Sequence, residues 1–271
     1  MRITVPYLHR EIELEIPDAN LPAVIEPNES EPCPPAGQAI REEVASPLRS
    51  PSLGEFLARS LRPLVIINDA TRPTPTPAIL EAVGDELEAK DARFLVATGA
   101  HRAPTEEEYR QILGTQYERF RHRVEAHDAH NASALVDLGH TRNGTPILLN
   151  RALIEADRVV ATGSVEPHYF AGYTGGRKAF LPGVAGFATI EANHRLALDP
   201  HARSLALADN PVSQDMEDAL RLIPGRVFSI MTVLDKRPSL PEALAEALAE
   251  KGPRAKVAVL LDGTVTVPQV E

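Results

Sequence analysis

The chain has 271 residues, a length that suits one large α/β domain or two of roughly 150 residues, and it is long enough to bury its own core. Its 38 acidic and 28 basic side chains leave a formal charge of −10, which excludes a broad nucleic-acid surface and a polybasic membrane anchor but leaves room for a local anion pocket. The single cysteine, Cys33, excludes an intramolecular disulfide framework and any Cys-rich zinc or iron–sulfur site. There is no Trp, and aromatics make up 4% of the chain, too few for a base-stacking platform. No apolar run approaches the ~20 residues of a membrane span, and the acidic N-terminal stretch lacks a signal-peptide core. The expected compartment is the cytoplasm.

Residues 1–16 alternate apolar and charged positions, as in a half-exposed strand. Residues 26–52 are proline-rich and polar and read as a long connection, with Cys33 a loop residue between two prolines. A strand–helix rhythm follows. Leu64–Ile67 is an apolar run ending in Asn68-Asp69, and Ala78–Ala89 has helical spacing. Phe94–Ala97 is a second run, ending in Thr98-Gly99-Ala100-His101. Pro104–Glu108 carries a cap and first-turn acids of a helix. Arg123–Ala126 reads as a third strand, and Val159–Ala161 as a fourth that enters a Gly-rich segment. This alternation predicts α/β architecture, a mostly parallel sheet flanked by helices. In such sheets ligands bind beyond the C-terminal strand ends, where Asp69, Arg72, His101 and the Gly-rich segment fall. Near the C-terminus, Ser239–Glu242 starts a capped helix stopped at Gly252, and Lys256–Leu261 reads as a strand.

The segment Gly163–His194 packs two histidines, one lysine and six glycines into 32 residues. Gly175-Gly176-Arg177-Lys178 joins two conformationally free positions to two cations, a pattern suited to phosphate or carboxylate. It has neither Walker A nor G-x-G-x-x-G spacing, and a tight turn with solvated cations is the competing reading. His101, His168 and His194 together offer acid–base pairs or a metal ligand. Arg72 suits bidentate anion recognition, with Asp69 to orient it or a ligand hydroxyl, against an Asx-turn with a surface ion pair. His122, His127 and His130 lack the HExxH pattern and read as solvated loop residues. A hydrolase is disfavoured by the lack of a G-x-S-x-G elbow.

Several blocks resemble the lactate racemase (LarA-type) family: Asp69–Pro73, Gly99–Arg102, and the run from Gly139 to His194 with His168, Lys178 and His194 in matching spacing. The resemblance covers most of residues 1–235. It implies a nickel-pincer nucleotide, the pyridinium-3-thioamide-5-thiocarboxylate mononucleotide of nickel. By position, Lys178 would hold it covalently, His194 would ligate nickel, and Asp69, Thr71, Arg72, Gly175, Gly176 and Arg177 would line its site. His101 and His168 would be the acid–base pair, and Arg72 would bind the substrate carboxylate or the cofactor phosphate. The implied activity is racemisation or epimerisation of a 2-hydroxy acid by proton-coupled hydride transfer, an isomerase reaction. This route avoids a carbanion beside a carboxylate, and two histidines serve the two faces of a planar ketoacid. The implied partners are a small-molecule 2-hydroxy acid and cofactor-synthesis enzymes.

Members of that family are longer and have two domains. The chain is therefore expected to comprise a LarA-like N-terminal cofactor-binding domain at 1–235 and a C-terminal helix and strand at 239–271 that return to it, with the second domain absent between them. The alternative is an isolated nucleotide- or nickel-binding domain without turnover.

Overall fold

The computed structural model describes residues 2–7, 10–18, 23–25, 34–223, 225–234 and 258–260. The chain divides into two compact units, Met1–Pro32 with Asp235–Glu271, and Cys33–Leu234. In the first unit, β1 (Arg2–Tyr7) and β2 (Arg10–Glu15) pair antiparallel, with Arg2 opposite Glu15 and Tyr7 opposite Arg10. The alternation at 1–16 is thus a hairpin and not one strand. Alternating charges occur only in β2, at Glu11, Glu13 and Glu15, and β1 carries Arg2 alone, so the pattern holds no mark of the reversal. In the same unit β3 (Ala23–Ile25) pairs in parallel with the last strand, Ala258–Leu260, which lies within the strand expected at Lys256–Leu261. The helix expected from Ser239 to Gly252 lies outside the described residues.

The second unit begins with α1 (Ala36–Ala45) and α2 (Leu53–Leu57). The first of these corrects the expected connection at 26–52. Pro34 and Pro35 precede the helix and so cost it no hydrogen bond, and Ile40 and Val44, four apart, give it a buried edge. Next come β4 (Pro63–Asn68), α3 (Thr76–Ala89), β5 (Arg93–Ala97), α4 (Glu106–Leu113), α5 (Tyr117–Phe120) and β6 (Val124–Ala126). A hairpin of β7 (Leu135–His140) and β8 (Pro146–Asn150) follows, then α6 (Arg151–Glu155), β9 (Arg158–Ser164) and the short pair β10 (Pro167–His168) and β11 (Gly172–Tyr173). The unit closes with α7 (Phe187–Arg195), α8 (Pro211–Arg221) and β12 (Val227–Thr232).

Five of these strands form one parallel sheet in the order β12-β9-β4-β5-β6. Strands covered on both faces read as unbroken apolar runs, and Leu64, Val65, Ile66 and Ile67 are all 3% exposed or less. Because successive side chains point to opposite faces, Val65 and Ile67 pack with Phe94, Val160 and residues of α1 to α4. Leu64 and Ile66 pack with Leu95, Val159 and residues of α6 to α8. The chain runs from β4 through β5 to β6 at one edge and then returns to lay β9 on the other side of β4. The connections after β4 and β9 therefore leave in opposite directions, which opens a crevice above their C-terminal ends.

Helix α8 is started and held in place by polar chemistry. The Asn210 side chain caps it by accepting from Val212 N and Ser213 N at 3.0 and 3.2 Å, and its amide donates to Phe170 O at 2.8 Å. Asp215, fully buried, accepts from Asn143 Nδ2 at 2.9 Å and from Thr145 Oγ1. The helix thus anchors the loop that carries Phe170, which is part of the cleft described next.

Candidate active site

The crevice holds a cleft of about 360 Å³. Its walls come from three connections: Asn68–Thr74 after β4, Ala97–His101 after β5, and residues between Thr162 and His194 after β9.

The turn after β4 is organised by Asp69, which is 7% exposed. Its Oδ1 accepts from Thr71 N at 3.1 Å and Thr71 Oγ1 at 2.6 Å, and its Oδ2 bonds His101 Nδ1 at 2.7 Å. A carboxylate only accepts, so the His101 Nδ1 carries the proton and donates, which leaves Nε2 with a lone pair. The half-exposed His101 ring therefore presents a proton acceptor. Below it, Thr74 Oγ1 donates to Asn68 Oδ1 at 2.8 Å and lies 3.3 Å from Ser164 Oγ, so a polar floor joins β4 to β9.

His168 has the opposite proton inventory. Ala171 N–H donates to its Nδ1 at 3.2 Å, so the neutral ring carries its proton on Nε2. Burial first, then the charges of Lys178, Arg72 and His194, push its pKa down to about 4. Tyr169 stacks on the ring at 4.9 Å, and Phe170 meets it edge-on at 4.6 Å. Phe170 also meets His194 edge-on at 5.2 Å and so wedges the two histidines apart.

His194 lies in the last turn of α7, where its Nδ1–H donates to Ile190 O at 2.8 Å. Its Nε2 is left as a free donor of electrons, the usual state of a metal-ligating imidazole. Burial, opposed by the bond to Ile190 and assisted by the Lys178 charge, holds its pKa below the ordinary value.

Lys178 sits in the 3₁₀ turn Gly176–Ala179. Gly175 sets up that turn with φ +73°, and a Cβ there would lie 2.9 Å from Val165 Cγ2 and 3.0 Å from Ser164 O. Gly176 N–H donates to Met231 Sδ at 3.0 Å, which ties the turn to β12. The Lys178 amine has no hydrogen bond or ion pair among the described residues, and Phe170 lies under it with its centroid 6.0 Å away. Burial, then Arg72 and Arg177, push its pKa down to about 7. An amine held so far below the ordinary lysine value gives up its proton more readily and is a better nucleophile.

Of the site residues expected from sequence, Asp69, Arg72, His101, His168, Gly175, Lys178 and His194 all line the cleft. Thr71, Gly176 and Arg177 do not: Thr71 braces Asp69, Gly176 braces the Lys178 turn, and Arg177 turns its guanidinium to Ala171 O at 3.2 Å. Arg177 acts on the site through its charge alone. Phe170, Tyr169 and Met231 were not singled out from sequence; the first two sit beside His168 in the Gly-rich segment, whereas nothing in the pattern marks Met231. The reading of His127 as a solvated loop residue is corrected, since it is 1% exposed.

The depressed values have a consequence for stability. Between pH 7 and 10.5 the unfolded chain protonates Lys178 and the folded one does not, so this stabilisation is full above 10.5 and is lost as pH falls towards 7. His168 repeats the pattern from 6.5 down to about 4. At ~1.4 kcal/mol per pKa unit, discounted for partial solvation, each contributes on the order of 2 kcal/mol. Urea unfolding of the ligand-free chain is expected to shift to higher midpoints from pH 7 to pH 9. Lys178→Met is expected to flatten that rise, and an equal rise in the variant would show that another group causes it.

Residues 7–205 match the lactate racemase N-terminal domain family, and the chain belongs to that family. A lactate racemase of Thermoanaerobacterium thermosaccharolyticum is 29% identical over 256 residues, 90% of this chain and 58% of that protein. A lactate racemase of Lactiplantibacillus plantarum is 35% identical over 73% of this chain and 48% of its own length. The apoprotein structure of the T. thermosaccharolyticum lactate racemase superposes with a TM-score of 0.75 at 29% identity, covering 87% of this chain and 56% of that one. A Thermotoga maritima protein superposes with a TM-score of 0.63 at 25% identity, covering 75% of this chain and 52% of that one. The chain thus spans about half the length of the relatives it matches. Among the described residues, no helix is long and apolar enough to cross a membrane.

Proposed function

We propose that the chain holds a nickel-pincer nucleotide in the β4–β9 crevice and, with it, interconverts the enantiomers of a 2-hydroxy acid. The observation that carries the reading is the pairing of His101, a proton acceptor braced by Asp69, with His168, a hydrogen-bond donor, in one cleft that also holds Lys178 and His194.

The residues present fit such a cofactor. Lys178 offers a half-buried amine with no counter-ion among the described residues for acyl attachment, and His194 offers Nε2 to a soft metal. Gly175 keeps side-chain atoms out of the turn beside Lys178, and Arg72 is an exposed cation on the cleft wall for a phosphate or carboxylate. No group of three or more His, Cys, Asp or Glu gathers as a metal cage among the described residues, so the protein would contribute one imidazole. When bound, the cofactor supplies an acceptor for the substrate's α-hydrogen.

The chain's own residues handle the proton and the orientation. His101 Nε2 takes the hydroxyl proton of the substrate, and the Asp69 carboxylate stabilises the imidazolium that results. Arg72 holds the carboxylate. His168 Nε2–H would hydrogen-bond the substrate oxygen and keep its proton, and the imidazolium formed at His101 would return its proton to that oxygen. Phe170 and Tyr169 pack on the His168 ring. In the cytoplasm, cofactor-synthesis enzymes would load the site.

A second reading is a cofactor-binding unit without turnover. Co-expression with cofactor-making enzymes separates the two. The proposed function expects a mass increment on Lys178, absent in Lys178→Ala, together with loss of optical purity of a 2-hydroxy acid. An increment without racemisation selects the binding reading, and an unchanged mass under verified cofactor supply overturns both.

A further inference from the structure

His127 lies outside the cleft and is 1% exposed, yet all its polar atoms are engaged. The Asn150 Oδ1 is committed to capping α6, accepting from Ala152 N at 2.9 Å. That commitment turns the Asn150 amide towards His127, whose Nδ1 accepts from Nδ2 at 3.0 Å. The ring proton is thereby placed on Nε2, which donates to Ala185 O at 2.9 Å. The polarity of this chain of bonds is set from one end to the other. On the main chain, His127 N–H donates to Val96 O at 3.1 Å, and its carbonyl accepts from Thr98 Oγ1 at 2.6 Å.

These partners belong to the two walls of the cleft. Val96 and Thr98 lead into the turn of His101, whose N–H donates to Thr98 O at 2.9 Å. Ala185 lies in the link between Lys178 and α7. In that link Gly183 N–H donates to Lys178 O at 3.0 Å, and Phe187 N–H donates to Ala129 O at 2.9 Å where α7 begins. We infer that His127 is a positioning residue: its imidazole fixes the spacing between the His101 wall and the Lys178–His194 wall. This inference rests on the proposed reading of the cleft. An apolar side chain would fill the same volume but would leave Ala185 O and Asn150 Nδ2 unpaired, and the link free to move. Burial holds the imidazole below its ordinary pKa, in the neutral form that these bonds require.

The test uses Lys178 as a gauge of wall spacing. Trace acetylation of the native chain with acetic anhydride, followed by peptide mass spectrometry across a pH series, gives the midpoint of Lys178 reactivity, with Lys90 as internal reference. The parent is expected to show a midpoint near 7. His127→Leu releases the link and admits water to the amine, so the midpoint moves towards the ordinary lysine value of 10.5. His127→Gln restores a donor to Ala185 O and keeps the midpoint near the parent's. Ser60→Ala removes a 2.6 Å bond to Asp157 at the far end of the sheet and is expected to leave it in place. An unmoved midpoint in folded His127→Leu, or an equal movement in Ser60→Ala, overturns the inference. If His127→Leu does not fold, Thr98→Val, which removes one of the four bonds, is read in the same way: a raised midpoint supports the inference, and an unchanged one overturns it. No cofactor or turnover enters this readout, so failure of the racemase reading shows only in the optical assay.

Discussion

His101→Ala is expected to slow racemisation by the cofactor-loaded protein by ~10²–10⁴-fold, the usual contribution of a placed general base. The loss should fall on kcat, because in the proposed reading the substrate carboxylate would be held by Arg72, which lies on a different connection, after β4. Asp69→Asn separates the base from its proton inventory. A carboxamide can offer its NH₂ to Nδ1, which turns the ring proton to Nε2 and removes the acceptor from the cleft. A fall comparable to that of His101→Ala is therefore expected, although the imidazole remains. In serine proteases the equivalent change costs about 10⁴-fold for the same tautomeric reason. Chiral chromatography from a single enantiomer measures both variants. An unchanged rate in His101→Ala would remove this histidine from the reaction.

The second large effect is structural. Gly183→Ala is expected to destabilise the chain by ~3 kcal/mol or more, at the upper end of single substitutions. A Cβ at this position would run into Ala179 O and lie 2.9 Å from Lys178 O, both backbone atoms that cannot swing aside. Moving away would break two bonds, from Gly183 N to Lys178 O at 3.0 Å and from Gly99 N to Gly183 O at 2.9 Å. The second of these joins the two cleft walls directly. Gly54→Ala is the matched control: nothing lies within 4 Å of its Cβ, and it sits in α2, where Ala is the better helix former. Urea midpoints should fall for the first variant and hold or rise for the second. Equal behaviour would mean that steric conflict at Gly183 is not the cause.

The parts of the fold that were legible in sequence have a shared physical basis. Strands β4, β5 and β9 are covered on both faces, so their runs are continuously apolar and stand out against polar connections. Helix α4 announces itself through the Thr105–Glu108 capping box, in which both reciprocal bonds are formed. Helix α8 escaped notice because its inward face carries Ser213 and Asp215, both fully buried. Asp215 accepts from Asn143 and Thr145, far away in sequence, and these polar positions interrupt the apolar stripe of Val212, Met216 and Ala219. His127 was misplaced for a related reason. Glu125 and Asp128 beside it are solvent-like neighbours in sequence, but the bonds that pay for its burial come from residues 23 and 58 positions away. The seven expected site residues that line the cleft sit in short runs immediately after strands or in the Gly-rich segment, so strand ends located them. The bracing roles of Thr71, Gly176 and Met231 depend on tertiary distances and leave no trace in spacing.

The chain contains no tryptophan, and Tyr169, 77% exposed, lies with its ring parallel to the His168 imidazole. The cleft mouth is therefore optically silent at the wavelengths where an indole emits, and it has a natural place for one. A single Trp at position 169 would be the sole such fluorophore in the molecule. Its brightness would respond to the charge on the neighbouring imidazole and to any aromatic ligand arriving beside it, turning the stacked pair into a gauge of occupancy that needs no label.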